Sequence, residues 1–88
     1  MKFSKEIGRL KCVEGQARGV IRMMEDERYC VDILQQIAAM EAALRVTRSK
    51  VLTLHAQSCV ADAIESGDKE DQQKKFAELA DLFGKMAR

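Results

Sequence analysis

The chain has 88 residues, 47% of them apolar but only 5% aromatic, and a formal net charge of +1. That length allows one domain, residues 1–88, and so few large side chains give a single copy little core of its own, so oligomerisation is the expected remedy. No run of 18 apolar residues is present to span a membrane, and the opening MKFSKEIGRL lacks the apolar segment of an export signal, which predicts a cytoplasmic protein with no membrane partner.

The near-neutral total hides an asymmetry. Residues 1–22 hold Lys2, Lys5, Arg9, Lys11, Arg18 and Arg22 against Glu6 and Glu14, so the front of the chain is basic and the remainder acidic. A basic segment of this kind is either a nucleic-acid surface or plain solvation. From about Ser4 to Glu25, Ile7, Leu10, Val13, Ala17, Val20, Ile21 and Met24 recur every three or four positions, the spacing of an amphipathic helix, with Ser4 as its N-cap. Lys11, Arg18 and Arg22 fall on one edge of that stripe, and Lys2, Lys5 and Arg9 on the other. Gly8, Gly15 and Gly19 share a face, which suggests the close approach of another backbone, although each costs roughly 1 kcal/mol relative to Ala.

The charged run Asp26, Glu27, Arg28 marks a break, with Asp26 as the expected N-cap of the next helix. Tyr29 to Glu65 contains neither Gly nor Pro and reads as one long helix. Ile37, Leu44 and Val51 recur every seven residues along it, with Ile33, Met40 and Leu54 in the adjacent row. Ser66, Gly67 and Asp68 then combine a glycine C-cap with an Asp N-cap, and a third helix is expected over about Lys69 to Ala87. Its face of Phe76, Leu79, Ala80, Phe83 and Met86 marks it as a cover helix.

Three cysteines at 12, 30 and 59, without an export signal, suit metal or redox chemistry better than a disulfide framework. Cys30 lies near the start of the long helix, while His55 and Cys59 lie near its end, one turn apart, where their donor atoms can chelate one ion. The 25 residues from Cys30 to His55 correspond to about 37 Å in a helix at 1.5 Å per residue. One chain's Cys30 then cannot reach its own His55. Because Cys30, His55 and Cys59 share one side of the helix, a twofold antiparallel pair of such helices brings Cys30 of one copy level with His55 and Cys59 of the other. Ala38, Ala39, Ala42 and Ala43 lie near the implied axis. Two thiolates and an imidazole form a soft, three-donor set that suits Cu(I), whereas Zn(II) would want a fourth ligand. On spacing alone, the same three residues could equally be core filler.

The residues Arg9-Leu10, Glu14-Gly15-Gln16-Ala17-Arg18-Gly19, Tyr29-Cys30-Val31-Asp32-Ile33-Leu34-Gln35-Gln36-Ile37-Ala38-Ala39 and His55 to Cys59, in this order and spacing, resemble the CsoR/RcnR/FrmR family of metal- and thiol-sensing transcriptional repressors. The resemblance spans nearly the whole chain. It implies an all-α protein with a three-helix protomer, a disc-like dimer of dimers without a helix-turn-helix, and an apo form that binds operator DNA until an effector releases it.

The family's copper-responsive pattern of Cys, His, Cys maps onto Cys30, His55 and Cys59, which implies Cu(I) as effector and a cytosolic copper donor as a partner. Nickel and cobalt members use His in place of the last Cys and add an N-terminal His. Formaldehyde-responsive members use an N-terminal Pro where position 2 here is Lys. Persulfide-responsive members keep both cysteines and lack the His, so a persulfide- or thiol-sensing repressor using Cys30 and Cys59 is the alternative. The resemblance also implies Tyr29 as a group supporting the first Cys. The Glu that copper sensors carry on the third helix falls here at Lys75. The DNA-binding residues expected on this reading are Arg9, Lys11, Arg18, Arg22 and Arg48. An enzyme built on a Cys-His pair is disfavoured because neither an orienting acid nor an anion hole is visible near His55 and Cys59.

Overall fold

The computed structural model describes residues 2–86, and Ala87, the expected last residue of the third helix, lies outside them. Three helices follow in order: α1 (Ser4–Glu25), α2 (Cys30–Ser66) and α3 (Lys69–Met86). Among the described residues there is no strand, and no helix is long and apolar enough to cross a membrane. Two compact units divide the chain at Met1–Val51 and Leu52–Arg88, with α2 running through both.

In the first unit, α1 begins one residue before the sequence suggests. Phe3, rather than Ser4, occupies the N-cap and makes no side-chain cap, and its carbonyl accepts the first helical bond from Ile7 N at 2.8 Å. The ammonium of Lys2 lies 5.5 Å from the Phe3 ring centroid. The other end corrects the expectation for Asp26, which is the C-cap of α1 and not the N-cap of α2. Glu27 takes a left-handed φ of 52°, so that its N–H reaches Met24 O at 3.1 Å and Arg28 N–H reaches Met23 O at 2.9 Å. These are the two reversed bonds of a Schellman ending, which satisfy carbonyls that the helix itself leaves open. The carbonyl of Tyr29 then opens α2 by accepting from Asp32 N at 3.0 Å and Ile33 N at 3.3 Å.

The buried positions of this unit are Glu6, Val13 and Val20 on α1 and Thr47 on α2, and Ala17, Met23, Ile33, Ile37 and Met40 are half-buried. The buried stripe of α1 is therefore rotated from the predicted one, leaving Ile7, Leu10, Ile21 and Met24 exposed, and Leu44 and Val51 of the α2 seam are exposed as well. Thr47 is accommodated because its hydroxyl donates to Ala43 O at 3.0 Å. The backbone approach expected at the three glycines is not met within the chain. A side chain added at Gly8 or Gly19 would meet nothing within 4 Å, and one at Gly15 would meet only the Arg18 guanidinium at 3.8 Å.

In the second unit, Gly67 adopts the left-handed φ of 64° expected of a glycine C-cap. Ser66 Oγ donates to Ala63 O at 2.9 Å, and Asp68 caps α3 as expected, accepting Glu70 N–H at its Oδ1 at 3.1 Å. Ala63 is fully buried at 0% exposure. The inward face of α3 differs from the predicted one: Gln72, Lys75, Leu79, Leu82 and Met86 are half-buried, while Ala80 is exposed and Phe76 and Phe83 remain 49% exposed. Polar ties to α2 set that rotation, since Gln72 Nε2 donates to Ala63 O at 3.0 Å and the Cys59 thiol to Lys75 O at 3.9 Å.

Candidate metal centre

His55 and Cys59 sit four residues apart on the unbroken part of α2 within the second unit, so their donor atoms occupy the same side of successive turns. His55 is exposed. Cys59 is half-buried with its sulfur turned toward α3. All three cysteines are free thiols. Their spacing would let the two side chains offer two donors to one ion.

Cys30 is the first residue of α2 and is exposed, in the first unit. Tyr29 precedes it and is 68% exposed, its main chain opening the helix. Among the described residues, no three His, Cys, Asp or Glu side chains of this one chain gather in a way that could hold a metal ion. The donor set is nevertheless chemically coherent. An imidazole and a free thiol on adjacent turns are donor types that a soft, low-coordinate metal takes, and Cys30 is a further exposed thiol. Cys12 is exposed on α1, and the structure gives it no part in this set.

The five expected DNA-contact residues are all exposed: Arg9, Lys11, Arg18 and Arg22 on α1, and Arg48 on α2. Arg18 Nη1 lies 3.5 Å from Glu14 Oε1, in a pair whose side chains are 65% and 69% exposed. A solvated pair of this type is worth about 0–1 kcal/mol, so it competes weakly with a phosphate for the guanidinium. Lys11, Arg18 and Arg22 fall within about 40° on the helical wheel, a compact basic strip, while Arg9 lies on the opposite edge.

Residues 4–85 match the model of a family described as metal-sensitive transcriptional repressors. The chain belongs to that family. It is 48% identical over 91 residues to the copper-sensing transcriptional repressor CsoR of Bacillus subtilis (strain 168), an alignment covering 99% of this chain and 87% of that protein. The copper-sensing transcriptional repressor RicR of Mycobacterium tuberculosis (strain ATCC 25618 / H37Rv) is 39% identical over 80 residues, covering 91% of this chain and 82% of its own. Among solved structures, the copper-sensing repressor CsoR with Cu(I) from Geobacillus thermodenitrificans NG80-2 superimposes with a TM-score of 0.78 at 45% identity, over 98% of this chain and 86% of that one. The all-helical, three-helix architecture of this metal-sensitive repressor is thus shared with a copper-loaded relative.

Two groups escaped the reading of the sequence. Glu6 is buried on α1 at the wheel angle of Met24, inside the predicted apolar arc, but a carboxylate there carries no burial signal of its own. Gln72 ties α3 to α2, and a single Gln among charged neighbours is equally silent.

Proposed function

We propose that this chain is a copper(I)-responsive repressor of transcription, acting as one domain over residues 1–88, whose apo form binds operator DNA and releases it when Cu(I) is held by Cys30 of one protomer with His55 and Cys59 of its partner. The observation that carries the reading is the His55–Cys59 pair on adjacent turns of α2, with Cys59 a free thiol, in a chain 48% identical to a copper-sensing repressor. When bound, Cu(I) would be held by soft donors from two protomers and would supply a bond that ties them together. Cys30 and Cys59 contribute thiolates, His55 contributes a neutral imidazole nitrogen, and Tyr29 supports Cys30 from the neighbouring position.

The assembly proposed is an antiparallel homodimer, paired into a homotetramer. The exposed apolar side chains of both units, Leu10, Ile21, Leu34 and Leu44 in the first and Ile64, Phe76 and Phe83 in the second, are the surface such an assembly would cover. Operator phosphates would meet Arg9, Lys11, Arg18, Arg22 and Arg48, with Arg18 as the principal contact. The working location is the cytoplasm, with a cytosolic copper donor as the source of metal.

Mixing Cys30→Ala chains with Cys59→Ala chains tests the shared site. Each variant alone lacks one donor at every site, whereas a heterodimer has one intact site and one empty one. Tight Cu(I) binding, read by competition with a chromophoric Cu(I) chelator, is expected to return in the mixture to about half the wild-type stoichiometry per heterodimer. No recovery overturns the shared site. Because the Cys30 and Cys59 thiols are both free, persulfide sensing on the same fold is the second reading, and His55→Ala separates the two. Copper-induced release of DNA fails in that variant, while sulfur-induced release would survive.

A further inference from the structure

The basic and the apolar surface of α1 separate onto different sides of the helix. At about 100° per residue, Gly8, Gly15 and Gly19 fall within about 40° of one another. Lys11, Arg18 and Arg22 stand about 40–80° to one side of that line, and Lys5 about 60° to the other. All four cations are exposed. Glu6, Glu14 and Glu25 lie on the opposite half of the helix, with the exposed apolar residues Ile7, Leu10, Ile21 and Met24. The line itself is open: a Cβ at Gly8 or Gly19 would meet nothing within 4 Å, and one at Gly15 only the Arg18 guanidinium at 3.8 Å. Only the short side chains of Ser4 and Cys12 stand as close to it as the cations do. The result is a shallow basic groove along α1, bracketed by long cationic side chains, in which Gly8 to Gly19 cover about 16 Å at 1.5 Å per residue. Among the described residues no ion pair engages Lys5, Lys11 or Arg22, and the Arg18–Glu14 pair is two-thirds exposed.

We propose that this basic groove seats one strand of duplex DNA: α1 lies lengthwise on a phosphodiester backbone, with Gly8, Gly15 and Gly19 against the sugar–phosphate chain and Lys5, Lys11, Arg18 and Arg22 reaching phosphates from both flanks. The inference deepens the operator contact proposed above and rests on that reading, to which it adds Lys5 and the three glycines. Charge selects the occupant. A second copy, with a net charge of only +1, gains nothing from desolvating four cations, and the exposed apolar residues that protein packing would cover lie on the other half of α1. Duplex DNA carries about one negative charge per 1.7 Å of its axis and matches the groove along its length. The glycines account for the depth of the contact. Each weakens the helix relative to alanine, and within the chain nothing fills the space they leave. A face without Cβ atoms lets a ligand's backbone come close to the helix backbone, which also shortens the reach of the flanking ammonium and guanidinium groups to phosphate. Contacts of this kind position the protein on DNA and read no base.

Because backbone contacts are independent of sequence, the probe is a fluorescein-labelled duplex of random sequence at low salt, titrated with the full-length, metal-free protein and read by anisotropy. Gly15→Ala and Gly19→Ala are each expected to weaken binding about three- to tenfold, and Gly19→Leu more than either. The same alanine variants are expected to keep or raise Tm, since alanine favours the helix and meets no clash. Gly84→Ala, equally open but on α3, is the control and is expected to leave DNA affinity unchanged. Lys5→Gln is expected to flatten the salt dependence by about one counterion per bound protomer. Wild-type DNA affinity in both alanine variants overturns the groove. A lowered Tm or an altered sedimentation profile in either one overturns it too, because the glycine face would then pack against protein, within the chain or in a second copy. Wild-type protein without affinity for the duplex likewise overturns it. Wild-type protein that binds the duplex but keeps its DNA when Cu(I) is added overturns the copper reading alone, while the glycine variants still decide the groove.

Discussion

Glu27 and Gly67 solve the same problem with different residues. Each takes a left-handed φ just past a helix end, 52° for Glu27 and 64° for Gly67. A residue with a Cβ is strained there by roughly 1–2 kcal/mol, and glycine is not. Glu27→Gly is therefore expected to stabilise the protein by about 0.5–1 kcal/mol after the extra unfolded-state freedom of glycine is counted, raising Tm by a few degrees at fixed protein concentration. A lowered Tm would show that the Glu27 side chain contributes more than its backbone costs. Gly67→Ala is expected to lower Tm by a similar amount, read in the same thermal melts. The difference also explains what the sequence made visible. Gly67 stands between Ser66 and Asp68 and announces a stop and a start, whereas Glu27 has no compositional mark of a left-handed residue, so sequence alone places Asp26 on the next helix instead of at the end of α1.

At the scale of elements, α2 was legible nearly to the residue, because thirty-seven positions without Gly or Pro leave few alternatives to a helix. The rotation of α1 and α3 was not, because each carries an apolar arc wider than its own chain can cover. Burial within the chain selects Val13 and Val20 on α1, and Leu79 and Leu82 on α3, leaving Ile21, Phe76 and Phe83 facing out. Periodicity marks the whole arc and cannot say which part of it the chain itself covers. The same reasoning refines the dimer argument on α2. At 100° per residue, Leu44, His55, Cys30 and Cys59 fall within about 60° of one another, while Ala38, Ala39, Ala42 and Ala43 lie at least roughly 60° outside that arc. Leu44, exposed in the single chain, is thus the residue that an antiparallel pairing through the donor face would bring to the twofold axis. Leu44→Glu would place two carboxylates side by side there while disturbing little within one chain. Sedimentation equilibrium is expected to show dissociation to smaller species with helical circular dichroism retained. An unchanged assembly would mean that α2 pairs through another face, and the Cys30–His55–Cys59 grouping would go with it.

For the molecule as a whole, the proposed function gives one helix two jobs: α2 would carry the donors and much of the exposed apolar surface that an assembly would cover, while α1 carries the basic strip. On the proposed reading, metal at the donors acts on DNA at the strip by changing how protomers are arranged. That makes the coupling a thermodynamic linkage, and a linkage is reciprocal. If saturation with Cu(I) weakens operator binding by some factor, saturation with operator DNA must weaken Cu(I) binding by the same factor, typically about 5- to 150-fold. Operator affinity should in addition fall steeply with salt, and Arg18→Ala should flatten that slope by about one counterion for each protomer whose Arg18 touches a phosphate, because its pair with Glu14 is too solvated to replace the contact. Both halves are measurable on one preparation. Fluorescence anisotropy of labelled operator with and without Cu(I) gives the first factor, and chelator competition with and without saturating DNA gives the second. Equal factors fit a single two-state assembly biased from both ends. A large effect of Cu(I) on DNA with none of DNA on Cu(I) is forbidden for linked binding at equilibrium, and its observation would mean that release proceeds through aggregation or thiol oxidation instead of the proposed switch.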